Sequence, residues 1–91
     1  MKDFKVFSKP FEIHSSMLKD IEFAKEFIYL ETFIFDNDKI GKKFLEALVK
    51  KAKQGVKIKL LIDAWWSTAD KSFFKQLTDY GAEVRFFREF R

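Results

Sequence analysis

The sequence predicts an α/β fold, a layered sandwich in which a largely parallel sheet carries helices on both faces. Three observations predict it. Short segments of strand composition alternate with longer amphipathic ones along the chain. Two of the amphipathic segments are closed by a glycine, Gly55 or Gly81, with strand composition resuming within a residue or two. The 91 residues hold only 3 Gly and 1 Pro, so the connections between elements must be short. Strands and helices joined this tightly favour right-handed crossovers and parallel pairing.

The elements follow in order. An extended piece near residues 4–7 opens the chain, and Ser15 has the character of an N-cap for a helix over 15–26, where Met17, Leu18, Ile21 and Ala24 recur at helical spacing. "FIYLETFIF", residues 27–35, is large, apolar and β-branched, as an interior strand should be. "DND" then supplies turn chemistry and an acidic N-cap, Asp38, for a helix over 38–54. In that helix Ile40, Phe44, Leu45, Leu48, Val49 and Ala52 form one stripe, with Lys42, Lys43, Glu46, Lys50 and Lys53 displayed elsewhere. Gly55 can take the left-handed conformation that ends a helix, and a strand over 56–62 begins at once. A loop, "AWWSTAD", leads to a helix over 70–80 with Phe73, Phe74, Leu77 and Tyr80 on its core side; Gly81 closes it before a strand over 83–87.

Composition narrows the function classes. With 47% apolar and 19% aromatic residues the chain has material for a core, and residues 1–91 make a single domain. There is no Cys and one His, so neither a thiolate nor a His-rich metal site can be assembled, and no cofactor is implied. Gly41, Gly55 and Gly81 are isolated and build neither a Walker-type nor a dinucleotide fingerprint. His14 with Ser15, Ser16, Ser67 or Ser72 lacks any nucleophile-elbow pattern. The N-terminus has no signal-peptide core and no apolar run approaches the roughly 18 residues of a membrane span, so a cytoplasmic location is expected, peripheral to the membrane in a longer parent.

The net charge of +4 is unevenly placed. Lys39 to Lys59 holds eight lysines against Glu46 alone, a local charge of +7, and the remainder sums to −3. Lys42, Lys43, Lys50 and Lys53 are therefore candidates for contact with an anionic phospholipid or a nucleic acid. A solvated outer helix face requires the same residues for solubility alone.

Ligands of open parallel sheets bind outside the carboxyl ends of the strands, which points to "DND" and "DAWWSTAD". Asp63 lies where its strand runs out; it could face a site, cap the next turn or pair with a lysine. Of the adjacent indoles of Trp65 and Trp66, one is expected in the core and one at a pocket or interface. Glu31 is the anomaly, a carboxylate inside an otherwise apolar strand, and it requires a partner or a face open to water.

The segment Ile21 to Trp65 resembles the opening half of a phospholipase D superfamily domain, the group that includes cardiolipin synthases, bacterial endonucleases and related phosphodiesterases. The likeness is carried by the helix end at Ala24 to Ile28, the strand with Glu31, Asp38 and Gly41, "EALVKKAKQGVKIKLLID", and the later "LTDYGAEVRFF". The resemblance implies a phosphodiester hydrolase or phosphatidyltransferase. The family signature is HxKxxxxD, in which one His attacks phosphorus, a second serves as acid and base, and the lysines hold phosphate charge. Here His14 is followed by Ser15 and Ser16, and the motif is expected shortly after "VRFFREFR", where the sequence stops. The resemblance thus implies a partial phospholipase D-like domain with no catalytic residue of its own, inactive as 91 residues, in which Glu31 and Asp63 support a His and Lys supplied from a missing part of the domain. Two other readings stay open: a non-enzymatic α/β module that self-associates through an uncovered sheet edge, and a phosphate- or nucleic-acid-binding module using the Lys39–Lys59 patch. Single-strand binding would need aromatics beside the cations, and most Phe fall on core stripes.

Overall fold

The computed structural model describes residues 4–6, 14–33, 35–64 and 67–87. The elements are β1 (Phe4–Val6), α1 (His14–Phe23), β2 (Phe27–Phe33), α2 (Lys39–Lys53), β3 (Lys57–Asp63), α3 (Lys75–Asp79) and β4 (Glu83–Phe87). Every expected element is present, with shifted ends. Helix α1 begins at His14 rather than after Ser15, and α3 is much shorter than expected. The shortening has a local cause: the Asp70 carboxylate accepts the Ser72 hydroxyl at 2.8 Å and the Phe73 N–H at 3.1 Å. Such side-chain bonds to nearby backbone compete with helix and hold residues 71–74 as turns.

Local chemistry accounts for the rest. Asp38 is the N-cap of α2, its Oδ1 accepting the Gly41 N–H at 2.8 Å. Gly55 follows the helix with φ +91°, a conformation that costs a side-chain-bearing residue dearly. Ile40 and Tyr80, expected on core stripes, are 38% and 49% exposed, because each lies at the end of its helix where the stripe runs past the sheet.

The four strands form one parallel sheet in the order β1-β2-β3-β4. When strands follow one another in sequential order, each right-handed crossover deposits its helix on the same face. The three helices accordingly form one layer, α2 packed between α1 and α3, and their buried side chains share a single core with one face of the sheet. Ile28, Leu30, Ile58, Leu60 and Ile62 line that face. On the opposite face Phe27, Tyr29, Lys57, Lys59, Leu61, Glu83, Arg85 and Phe87 are exposed or half-exposed.

The α/β class and the parallel sheet are as expected; helices on both faces are not found among the described residues. In strand β3 Lys57 and Lys59 alternate with Ile58 and Leu60, the pattern of a strand covered on one side only.

Candidate functional site

Strands β2 and β3 end side by side, and the loops that leave them are sewn together. The Phe35 N–H donates to Ser67 Oγ at 2.9 Å, and the Ala69 N–H donates to the Phe35 carbonyl at 3.1 Å. One residue further out, the Asn37 N–H donates to Thr68 Oγ1 at 2.8 Å, while the Thr68 N–H and hydroxyl both donate to Asp36 Oδ1 at 3.2 Å. Beneath this seam the fully buried Phe35 ring sits edge-on to Phe44 and Phe74, with centroids at 6.2 and 5.0 Å. The chain must also pass close to α2 here. Gly41 is buried, and a Cβ on it would be driven into the Asp36 carbonyl oxygen.

The seam borders a concavity of about 340 Å³ lined by Ala64, Ser67, Thr68, Ala69, Asp70, Lys71 and Phe86. It lies outside the carboxyl ends of the strands, where parallel sheets take their ligands. The Ala64 N–H, bonded to the Phe87 carbonyl at 2.8 Å, extends the β3–β4 pairing up to its rim. The Ser72 hydroxyl, then the Phe73 N–H, hold the Asp70 carboxyl below its ordinary pKa.

The register of β2 explains Glu31. Leu30 pairs with Leu60 and Phe33 pairs with Ile62, so Glu31 and Thr32 together oppose Leu61 alone. This is a β-bulge, a device that inserts one residue and re-aims a side chain. By alternation from the buried Leu30, Glu31 belongs to the helix-free face, where it is half-buried. Asp63 belongs to the same face, on the neighbouring strand and two residues beyond Leu61; it is only 6% exposed. The fold therefore brings together the two carboxylates picked out in the sequence, at the carboxyl end of the sheet. Trp65 and Trp66 lie outside the described residues.

The lysines are not brought together with them. Lys42, Lys43, Lys50 and Lys53 are exposed along α2, which spreads them over roughly 16 Å of helix axis. Lys53 is at the far end of the molecule, its Nζ 5.3 Å from the centroid of the Tyr80 ring. Among the described residues no group of three His, Cys, Asp or Glu side chains could hold a metal ion, and no helix is long and apolar enough to cross a membrane.

Sequence reasoning did not find Asp36, Ser67 and Thr68, which make the seam, or the steric demand at Gly41. The available signal was a Ser-Thr pair in one strand-end loop opposite Asp-Asn-Asp in another, donors and acceptors without local partners.

The family model described as the PLD-like domain of cardiolipin synthase matches residues 17–91. The chain is 40% identical over 75 residues to a cardiolipin synthase of Clostridium perfringens, covering 82% of this chain and 16% of that protein. It is 43% identical over 72 residues to the major cardiolipin synthase of Bacillus subtilis, covering 78% of this chain and 15% of that one. With cardiolipin synthase 1 of Staphylococcus aureus it shares 40% identity over 77 residues, 84% of this chain and 16% of the relative. The chain thus spans about a sixth of the length of the curated relatives it matches. No solved structure matches.

Proposed function

Because this chain belongs to the PLD-like family of the cardiolipin synthases, a family of phospholipase D-type phosphatidyltransferases, we propose that it is the opening scaffold of such a transferase domain. Its part is to hold the ends of β2 and β3 against a phosphodiester site completed by residues beyond these 91. The supporting observation is the placement of Glu31, on a bulge, and Asp63, buried at a strand end, on one face at the carboxyl end of the sheet.

A covalent phosphoryl intermediate needs an imidazole in the correct tautomer and cations against the phosphate oxygens. A carboxylate that accepts an imidazole N–H fixes that tautomer, and one placed near a lysine keeps it charged. Glu31 and Asp63 take these positioning roles in the proposed domain. The chain supplies no nucleophile: His14 is its single histidine and is followed by Ser15 and Ser16 rather than by x-Lys. The 91 residues alone are therefore inactive. A phospholipid substrate would bring the complete protein to a membrane surface.

The test is a graft. This chain replaces the aligned stretch of the Bacillus subtilis cardiolipin synthase, and cardiolipin formation is measured beside that of the isolated 91 residues. The graft should be active and the isolated chain should not. In the graft, Glu31→Gln and Asp63→Asn should each lower the rate by about ten- to a hundredfold, as loss of an outer-shell carboxylate does, and should shift the pH profile. Turnover by the isolated chain, or a folded graft whose rate ignores both substitutions, refutes the assignment.

A further inference from the structure

Helix α2 turns an unbroken stripe of charge outward. At about 100° per residue, Lys39, Lys42, Lys43, Glu46, Lys50 and Lys53 fall within a sector about 100° wide, opposite the buried Phe44, Leu48 and Ala52. All six are exposed, and five lysines against one glutamate leave a charge of +4. The stripe runs for about 21 Å of helix axis. The ion pairs of the described residues, Lys75 with Asp79 at 3.1 Å and Arg85 with Glu83, involve none of these lysines. Because α2 is packed between α1 and α3, the stripe runs down the middle of the helix layer. Its first turn adjoins the seam: Asp38 caps the helix, and Asn37 before it donates to Thr68 Oγ1.

We propose that the outer face of α2 is a docking surface for an anionic phospholipid bilayer, with the helix axis lying along the membrane and the contact made by headgroup charge alone. Every position of the stripe is charged, so it offers nothing to insert among acyl chains, and long lysine stems let each ammonium reach a phosphate. Attraction of this kind is worth about 1 kcal/mol per lysine near the surface, so five lysines acting together bind where one would not. The orientation has a consequence for the site. With α2 along the bilayer, the carboxyl ends of the strands stand at the margin of the contact, beside Lys39 and Lys42, rather than beneath it or on the far side.

The distribution of charge decides between polyanions. The positive surface is one helix wide: α1 exposes Asp20 and Glu22 beside Lys19, and on α3 Lys75 is paired with Asp79. A nucleic acid is held by cations that follow its backbone, and a single strand also needs rings on which its bases stack. The one ring of α2, Phe44, is buried in the core. A plane of anionic headgroups asks only for a straight row of cations, which is what α2 presents. The inference deepens the phosphatidyltransferase reading and rests on it in taking a phospholipid as the natural anion. Vesicle binding involves no turnover, so either can fail without the other.

Cosedimentation of the 91-residue chain with vesicles tests it, using phosphatidylcholine alone and phosphatidylcholine mixed equally with phosphatidylglycerol. The chain should bind the mixed vesicles at low salt, release them as salt rises, and ignore phosphatidylcholine alone. Lys43→Gln and Lys50→Gln should each weaken binding by about fivefold, the factor that corresponds to about 1 kcal/mol, and Glu46→Gln should strengthen it. Lys57→Gln with Lys59→Gln is the control. It removes two charges from the helix-free face, across a molecule whose smallest extent is 23 Å, well beyond the screening length of about 8 Å, and should leave binding unchanged. All these side chains are exposed, so circular dichroism should show every variant folded. No binding to the mixed vesicles at low salt overturns the proposal. So does a control that weakens binding as much as the α2 variants do, or tighter binding to a DNA duplex than to the vesicles with the same dependence on Lys43 and Lys50.

Discussion

Gly41→Ala should destabilise the chain, although helix propensity alone says the opposite. Gly41 is the third residue of α2, and exchanging Gly for Ala inside a helix ordinarily gains about 1 kcal/mol. Here the new Cβ would be driven into the Asp36 carbonyl oxygen, with the carbonyl carbon at 3.0 Å and Asp38 Oδ1 at 3.3 Å. The obstacle is backbone, which cannot swing aside as a side-chain tip does. Asp36 is held by two donors from Thr68, at 3.2 Å each, and its neighbour Asn37 donates to Thr68 Oγ1 at 2.8 Å. Retreat of the loop gives up two or three of these bonds at about 0.5 to 1.5 kcal/mol each. Retreat of the helix instead strains the packing of Phe44 on Phe35, and overpacking of this kind costs about 1 to 3 kcal/mol. Set against the propensity gain of about 1 kcal/mol, retreat of the loop leaves a net loss of up to about 3.5 kcal/mol and retreat of the helix one of up to about 2 kcal/mol. Urea denaturation followed by circular dichroism reads it as a lowered midpoint with an unchanged slope. Gly55→Ala is the control: nothing lies within 4 Å of its added Cβ, and its φ of +91° alone should cost about 1 to 2 kcal/mol. A Gly41→Ala variant as stable as the parent, or more so, would refute the steric account.

Thr68→Val keeps the side-chain shape and deletes the hydroxyl that joins Asn37 to Asp36; we expect a loss of about 1 kcal/mol and faster amide exchange at Asn37, with exchange in β3 unchanged. Equal exchange at Asn37 in both proteins would show that the seam is not held there. The Asp70 carboxylate is held below its ordinary value of 3.8 by the Ser72 hydroxyl and then the Phe73 N–H. With a depressed folded value, its contribution to stability is fully present above the unfolded pKa and is lost as pH falls through the folded one. Asp70→Asn should therefore lower stability slightly in the neutral range, where the carboxylate's contribution is present, and remove part of the acid dependence below about pH 4. A carboxyl NMR titration that places Asp70 at or above 3.8 contradicts this.

What was legible in the sequence is what local chemistry determines. Asp38 as a cap, Gly55 and Gly81 as helix stops at φ +91° and +96°, and the α2 stripe each depend on residues within a turn of one another. Glu31 and Asp63 could be singled out because a carboxylate in or at the end of an apolar strand is rare. The sidedness of the sheet was written in the alternation of Lys57, Ile58, Lys59 and Leu60, but it became decisive only through the strand order, which no local pattern reports. The seam was illegible for a related reason. Its partners lie 31 and 32 residues apart, and a Ser or Thr in a loop does not announce which distant N–H it will accept. Helix α3 failed through a local contest instead, where the Asp70 turn took the residues that periodicity assigned to helix.

The bulge at Glu31 and the uncovered face bear on each other. An inserted residue disturbs the alternation of every side chain beyond it unless the register is recovered, and packing against helices tolerates no such slip. In β2 the pairing is regular through Leu30 with Leu60 and is recovered at Phe33 with Ile62, so the irregularity is confined to the stretch opposite Leu61. Leu61 itself belongs to the helix-free face, and the core residues on either side of it, Leu60 and Ile62, remain fully buried. The departure from regular structure therefore falls where the core is least disturbed, and it coincides with the carboxylate that the strand's composition does not explain. Departures from local rules are expected to concentrate at functional positions, and bulges in particular beside active sites. The position of the bulge thus accords with the positioning role proposed for Glu31.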